Sequence, residues 1–267
     1  MTQTLANIHP EAKIADNVII EPFATIQKNV VIGEGTWIGP NAVILDGARI
    51  GKNCQIHPGA VISGIPQDLK FKGEETTTEI GDNTTIREYV TINRGTAAAM
   101  KTVVGNNCLI MAYVHIAHDC LIGNNVILVN SVGLAGEVVI DDFAILGGMT
   151  AVHQFVRIGA HVMIGGGSLV RKDVPPYVKA SREPLSYVGV NSVGLRRRSF
   201  SNERIAEIHE IYRYIYQRGF NHSNALDLIE AELPVSNERN NIINFIRNSK
   251  RGIMKGYNGI LNNNDDD

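Results

Sequence analysis

The sequence predicts a mainly β fold: a parallel β-helix of hexapeptide repeats followed by a C-terminal α-helical domain. Three observations predict it. Aliphatic residues recur every six positions from Ile8 to Val170, glycine and asparagine recur at fixed offsets between them, and the beat stops at Asp173-Val174-Pro175-Pro176, where apolar residues take up helical spacing.

The repeat comes first. Stepping by six from Ile8 to Val170 visits 28 positions, of which 25 are Ile, Leu or Val; chance would put about seven there. Gly often follows, as at Gly33, Gly39, Gly51, Gly81, Gly105 and Gly123, and Asn53, Asn107 and Asn125 stand two residues further on. These residue types accept turn conformations, including positive φ. A period of six matches neither a 3.6-residue helix nor the alternation of a long strand. It matches short strands separated by tight corners, three to a coil of about 18 residues, with coils stacked about 4.8 Å apart and the aliphatic residue pointing inward. The β-helix is expected to run from Ile8 to about residue 175.

Only Asp68, Glu74 and Ala98 break the beat. Carboxylates on an inward rung would be buried without partners, so residues 64–75 are expected to leave the coil as an extruded loop. Residues 95–102 make a shorter excursion. Loops on a rigid solenoid often carry binding residues; a solvated surface loop is the bland alternative.

After the solenoid, Ile205, Ile208, Ile211, Tyr212 and Ile215 share a helical face, with Ser201 as N-cap and Gly219 as the stop. Two more helices are expected, from about residue 223 to 233, ending before Pro234, and from about 236 to 251. Residues 262–267 read as a frayed tail. The chain is therefore divided into a β-helix domain, 1–190, and a helical domain, 191–267.

Composition narrows the function. With 267 residues, 44% hydrophobic, a net charge of -2 and a pI near 6.4, the chain has no global affinity for nucleic acid. No run approaches the roughly 18 apolar residues of a membrane helix, so no stable membrane insertion is expected. Residues 1–10 lack signal-peptide order. Three cysteines without CxxC spacing argue against disulfides and for the cytoplasm.

Chemistry is sought among residues the solenoid does not need. His115, His118 and Asp119 fall within five residues around the inward Ile116. At 18 residues per coil, Gly136 lies one coil above His118, and His153 and Gln154 lie two coils above, about 10 Å along the axis. A neutral imidazole can take a proton from a hydroxyl and return it to a leaving group, and a neighbouring carboxylate can fix its tautomer. Isolated His9, His57, His161, His209 and His222 read as inert. Two other classes remain open: a zinc-dependent hydratase, although the spacing of three between His115 and His118 differs from the wider pair of hexapeptide-repeat carbonic anhydrases, and a non-catalytic trimeric scaffold, which leaves the cluster unexplained.

Five segments together are more specific than the repeat: Gln67-Asp68-Leu69-Lys70, His115-Ile116-Ala117-His118-Asp119-Cys120, Asp141-Asp142-Phe143-Ala144 with Gly147 to Phe155, Asp173-Val174-Pro175-Pro176-Tyr177-Val178, and Gly194-Leu195-Arg196-Arg197-Arg198. Nearly the whole chain resembles the acyl-carrier-protein-dependent UDP-N-acetylglucosamine O-acyltransferases that open lipid A biosynthesis. The paralogous N-acyltransferases carry a domain before their β-helix; here the repeats begin at Ile8, which favours the O-acyltransferases. The resemblance implies a left-handed coil and a homotrimer with active sites between neighbouring β-helices. It implies transfer of a 3-hydroxyacyl chain from acyl carrier protein to the glucosamine 3-hydroxyl of UDP-N-acetylglucosamine, without metal, cofactor or acyl-enzyme; N-acyl transfer to a 3-amino UDP-sugar is the alternative. By the same resemblance His118 is the general base, Asp119 supports it, and the Gly136 N–H stabilises the oxyanion. Asp68, Lys70, His115, His153 and Gln154 match positions that hold the sugar nucleotide or acyl group, and Asn191, Arg197 and Arg198 match the nucleotide end. Cys120 reads as a small packing residue.

Three positions depart from the family's pattern: Glu137 and Asn93 stand where His is familiar, and Val193 where an acidic residue is. Family members measure acyl length with side chains closing the channel, and Gly166 leaves it open, so a long 3-hydroxyacyl donor is expected. Arg204, Arg213, Arg218, Arg239, Arg247, Lys250 and Arg251 offer a basic helical face for the acidic carrier protein, against the alternative of an ordinary solvated face.

Overall fold

The computed structural model describes residues 5–256; the expected fray at 262–267 lies outside the described residues. Short parallel strands six residues apart form three sheets, each strand pairing with its counterpart one coil away. A nine-stranded face runs from Asn7–Ile8 to Leu169–Val170, an eight-stranded face from Lys13–Ile14 to Arg157–Ile158, and an eleven-stranded face starts at Ile19–Ile20. The result is a left-handed parallel β-helix.

Register explains the sequence pattern. Ile92 pairs with Ile116, Ile116 with Leu134 and Leu134 with Val152, so each buried rung sits on a like neighbour. Truncating such a rung to alanine would cost about 2–5 kcal/mol. A second inward position, two residues before each rung, holds small side chains such as Val18, Ala24, Ala42, Val90 and Val132. Cys54, Cys108 and Cys120 occupy this position too, and each thiol donates to a carbonyl of the next coil, Gly81, Gly123 and Ala135 respectively. Burial pushes the Cys120 thiol up to about 12, which suits packing and not nucleophilic attack. At the corner between the eight- and eleven-stranded faces, Asn53, Asn83, Asn107 and Asn125 take φ between 52° and 57°, as turn residues should.

Both interruptions of the beat leave from one corner, between the nine- and eight-stranded faces. Residues 65–76 separate Val61–Gly64 from Thr77–Ile80, and residues 94–100 separate Thr91–Asn93 from Lys101–Val104. The second excursion ends earlier than expected, because Lys101 and Thr102 pair with Thr77 and Thr78.

Among the described residues four helices follow. Helix α1, Ser192–Arg197, was not expected from the spacing; Asn191 caps it. Helix α2, Asn202–Tyr216, starts at the Ser201 cap, and Gly219 sits at φ 75° just beyond it. Helix α3, His222–Glu232, takes Asn221 as its cap. Helix α4, Asn237–Arg247, starts at Ser236 as expected but stops short of residue 251. It stops because the chain turns back onto the solenoid: Ser249 donates to Asp173 Oδ2 at 2.7 Å, and Lys255–Gly256 joins the eleven-stranded sheet beside the hairpin of Val178–Ser181 and Ser186–Val190. Among the described residues no helix is long and apolar enough to cross a membrane.

Candidate active site

His118 and Asp119 sit on the corner from which both loops emerge, one coil above residues 94–100. Both are buried, and His118 Nδ1 lies 2.8 Å from Asp119 Oδ2. Asp119 adopts φ 60°, a left-handed conformation that aspartate tolerates. The short excursion holds its carboxylate: Thr96 N–H and Ala99 N–H donate to Oδ1 at 2.9 and 3.1 Å, and Thr96 Oγ1 donates to Oδ2 at 2.6 Å. The Asp119 N–H donates to Thr102 Oγ1 at 2.8 Å. A carboxylate surrounded by donors accepts from Nδ1–H, leaving the Nε2 lone pair of the neutral imidazole free to take a proton.

Gly136 stands directly above. A Cβ on it would lie 2.5 Å from His118 Cε1 and 2.7 Å from Nε2, so only glycine leaves room for the ring. Among the described residues the Gly136 N–H donates to no protein acceptor, while the next N–H, of Glu137, binds His118 O at 3.0 Å. Gln154 completes the column one coil higher, its Nε2 3.4 Å from Glu137 Oε1. His153 is exposed and donates from Nδ1 to Gln154 O at 3.0 Å. His115, on the nine-stranded face, is half-buried; its Nδ1 lies 2.8 Å from Thr91 Oγ1, and burial pushes its pKa down. Asp68 and Lys70 ride in the long loop of the same corner, where Asp68 Oδ1 accepts from Lys70 N–H at 2.9 Å.

The remaining expected residues lie elsewhere. Gly166 is on the corner between the eleven- and nine-stranded faces, where a Cβ would sit 3.0 Å from Gly148 O. Asn191, Arg197 and Arg198 lie by the corner between the eight- and eleven-stranded faces. There Arg198 Nη2 donates to Phe143 O at 3.1 Å, and the Asn191 amide is occupied, accepting from Gly194 N–H and donating to His161 O at 2.9 Å. One chain thus separates the Arg197–Arg198 pair from His118 by the width of the eight-stranded face.

A family model described as UDP N-acetylglucosamine O-acyltransferase, domain 2, matches residues 173–254, and the bacterial transferase hexapeptide model matches 29–64 and 101–136. A solved UDP-N-acetylglucosamine acyltransferase from Bacteroides fragilis is 59% identical, covering 96% of this chain and 100% of that one at a TM-score of 0.94. The Francisella novicida enzyme is 44% identical, covering 97% and 95%, also at 0.94. The acyl-[acyl-carrier-protein]--UDP-N-acetylglucosamine O-acyltransferase of Thiobacillus denitrificans is 41% identical over 191 residues, 71% of this chain and 74% of its own length. The chain belongs to this O-acyltransferase family.

Within the O-acyltransferase frame, two features of this chain stand out. Reading by residue type missed Thr96, Ala99 and Thr102, which orient Asp119; the available signal was the 24-residue step from Thr91 to its partner His115, one coil plus six inserted residues. The expected basic helical face is instead largely neutralised. Arg213 and Arg218 pair with Glu210, Arg247 with Asp227 and Glu230, and Arg204 with Glu238, while Arg239 is buried and donates to Leu233 O at 2.6 Å. Carboxylates on α2, α3 and α4 supply the partners, within a helix or across to its neighbour, which leaves Lys250 and Arg251.

Proposed function

We propose that this chain transfers a 3-hydroxyacyl group from acyl carrier protein to the 3-hydroxyl of UDP-N-acetylglucosamine, the first step of lipid A biosynthesis, with His118 as general base. The observation that carries the reading is the buried Asp119–His118 pair pressed against the Gly136 backbone. Nε2 takes the proton as the sugar oxygen attacks the thioester carbonyl. The developing oxyanion receives the Gly136 N–H. Collapse breaks the carbon–sulfur bond, and imidazolium returns the proton to the departing thiolate of the carrier. Asp119 holds the productive tautomer and balances the transient charge. The reaction uses the imidazole, the carboxylate and one backbone N–H, with no metal, cofactor or acyl-enzyme, and the unpaired cysteines suit a cytoplasmic setting.

Asp68, Lys70, His115, His153 and Gln154 are assigned to the sugar and acyl groups around this column. Arg197 and Arg198, oriented by the Asn191 cap, are assigned to the diphosphate, for which guanidinium forks suit the geometry. They would reach His118 only from a neighbouring copy, which supports a homotrimer with sites between subunits. Outward rows support it as well: Leu109, Ile127, Ile145 and Met163 stack on the eleven-stranded face, and Phe23, Tyr89, Tyr113 and Met149 stand exposed along one corner. Gly166 is assigned to the end of the acyl channel.

The test is transfer from 3-hydroxyacyl carrier proteins of several lengths to UDP-N-acetylglucosamine, read by mass spectrometry. A mono-acylated sugar nucleotide that disappears in His118→Ala is expected. No product at any length from folded protein would refute the acceptor, and the 3-amino UDP-sugar would be tried next.

A further inference from the structure

We infer that Arg94 is a positioning residue that clamps the long extruded loop through Phe71, in the pose that presents Asp68 and Lys70 to the acceptor. This rests on the proposed role of that loop and identifies what holds it in place.

The loop's two stems are tied to the coil by hydrogen bonds. At the first, Asn93 Nδ2 donates to Ile65 O at 3.1 Å and Arg94 N–H donates to Gly64 O at 2.9 Å. At the second, Thr76 Oγ1 donates to Gly95 O at 2.6 Å, and the Glu74 carboxylate accepts from the Ala97 backbone. The tip between them is folded on itself: Phe71 N–H donates to Asp68 O at 3.0 Å, Lys70 N–H donates to Asp68 Oδ1, and Leu69 is fully exposed. Lys72 N–H ties the end of the tip to Glu74 Oε2 at 2.8 Å, and the side chain that joins the tip to the coil is Phe71, its ring 5.4 Å from the Arg94 guanidinium carbon.

Arg94 is built for that contact. It occupies the corner one coil below His118, since Thr91 pairs with His115 three residues earlier. Its Nη1 donates down the corner to Asp46 O at 3.2 Å, which fixes the plane of the guanidinium. Among the described residues no carboxylate pairs with it, and its Nε is buried without a partner. A half-buried cation without a counter-ion costs stability, and the ring face is the group that its charge meets. Because hydrogen bonds tie Asp68 to Lys70 and to Phe71, the Phe71 contact also sets the direction of Asp68 and Lys70. Releasing it lowers the fraction of loops in the binding pose, and apparent affinity falls by that fraction.

The experiment pairs hydrogen exchange of the 65–76 segment with steady-state kinetics for Phe71→Leu, Arg94→Gln and Arg94→Lys in the full-length protein. Phe71→Leu leaves the coil untouched, so it separates loop release from misfolding. Faster exchange of this segment and a KM for UDP-N-acetylglucosamine raised about three- to fivefold are expected in Phe71→Leu and Arg94→Gln. Turnover and the KM for the acyl donor should stay within about twofold, and Arg94→Lys should recover most of the loss. Unchanged exchange in both variants overturns the clamp. Faster exchange with an unchanged acceptor KM leaves the clamp standing and overturns the loop's place in the acceptor site. A fall in kcat at constant KM overturns the positioning role.

Discussion

Replacing Gly136 by alanine tests the proposed site with a single methyl group. Gly136 does not have the positive φ that restricts a position to glycine, so its backbone accepts alanine without strain, and the coil should still close. The methyl would lie 2.5 Å from His118 Cε1, and an ordinary contact begins near 3.4 Å. The imidazole must therefore retreat by about 1 Å. It cannot retreat freely, because its Nδ1 is held 2.8 Å from an Asp119 carboxylate that is itself held by Thr96 and Ala99. Displacing a catalytic group by about 1 Å typically costs about 100-fold in rate, equivalent to about 2.7 kcal/mol of barrier. The assay is kcat/KM for acyl transfer beside a thermal unfolding scan. The expected result is a loss near 100-fold with native-like unfolding. Activity within about threefold of the parent would refute the placement of the reaction at this column.

Three further outcomes follow from the same geometry. Asp119→Asn presents an amide to Nδ1 and favours the tautomer with its proton on Nε2, so kcat should fall about 1,000-fold while circular dichroism is unchanged. Gly166→Met places a long side chain at the proposed channel end and should shift donor preference to shorter acyl chains; each lost methylene is worth about 0.8 kcal/mol, and an unchanged length profile refutes the channel assignment. Burial among Phe143, Tyr177 and Phe200 pushes His161 down to about 4, so the folded state binds fewer protons than the unfolded one between pH 6.5 and 4. The stability contributed by neutral His161 is thus present above pH 6.5 and lost as pH falls toward 4. His161→Phe should flatten the pH dependence of the unfolding midpoint in that window, and an unaltered slope would contradict it.

The solenoid was legible because its physics is periodic: one rung every six residues leaves a mark that 25 of 28 positions carry. The stacking of Gly136 and Gln154 over His118 followed from that period by arithmetic. Helix α1 was not legible, since its six residues bury only Leu195 and carry no amphipathic pattern. The early end of α4 was hidden for a different reason: the turn that stops it is fixed by Asp173, 76 residues away from Ser249. The Arg204–Glu238 and Arg247–Asp227 pairs escaped for the same cause, because they form only after the helices pack, whereas Arg213 and Glu210 stand three residues apart on α2. In the site, the charged and imidazole groups were visible as residue types, whereas Thr96, Ala99 and Thr102 act through a hydroxyl or a backbone N–H that residue identity does not advertise.

The two interruptions at a single corner also bear on how such a protein can change. A residue inserted within a face would flip the alternation of that strand and slip every rung above it, whereas a segment inserted at a corner leaves the ladder on both sides in register. Loops 65–76 and 94–100 show that this corner accepts added chain of quite different length. The edge proposed to face substrate can therefore drift, lengthen or be exchanged between relatives almost independently of the scaffold. Selection, or a protein engineer, can vary the chain at this corner one loop at a time while the imidazole and the backbone amide above it stay where the coil spacing puts them.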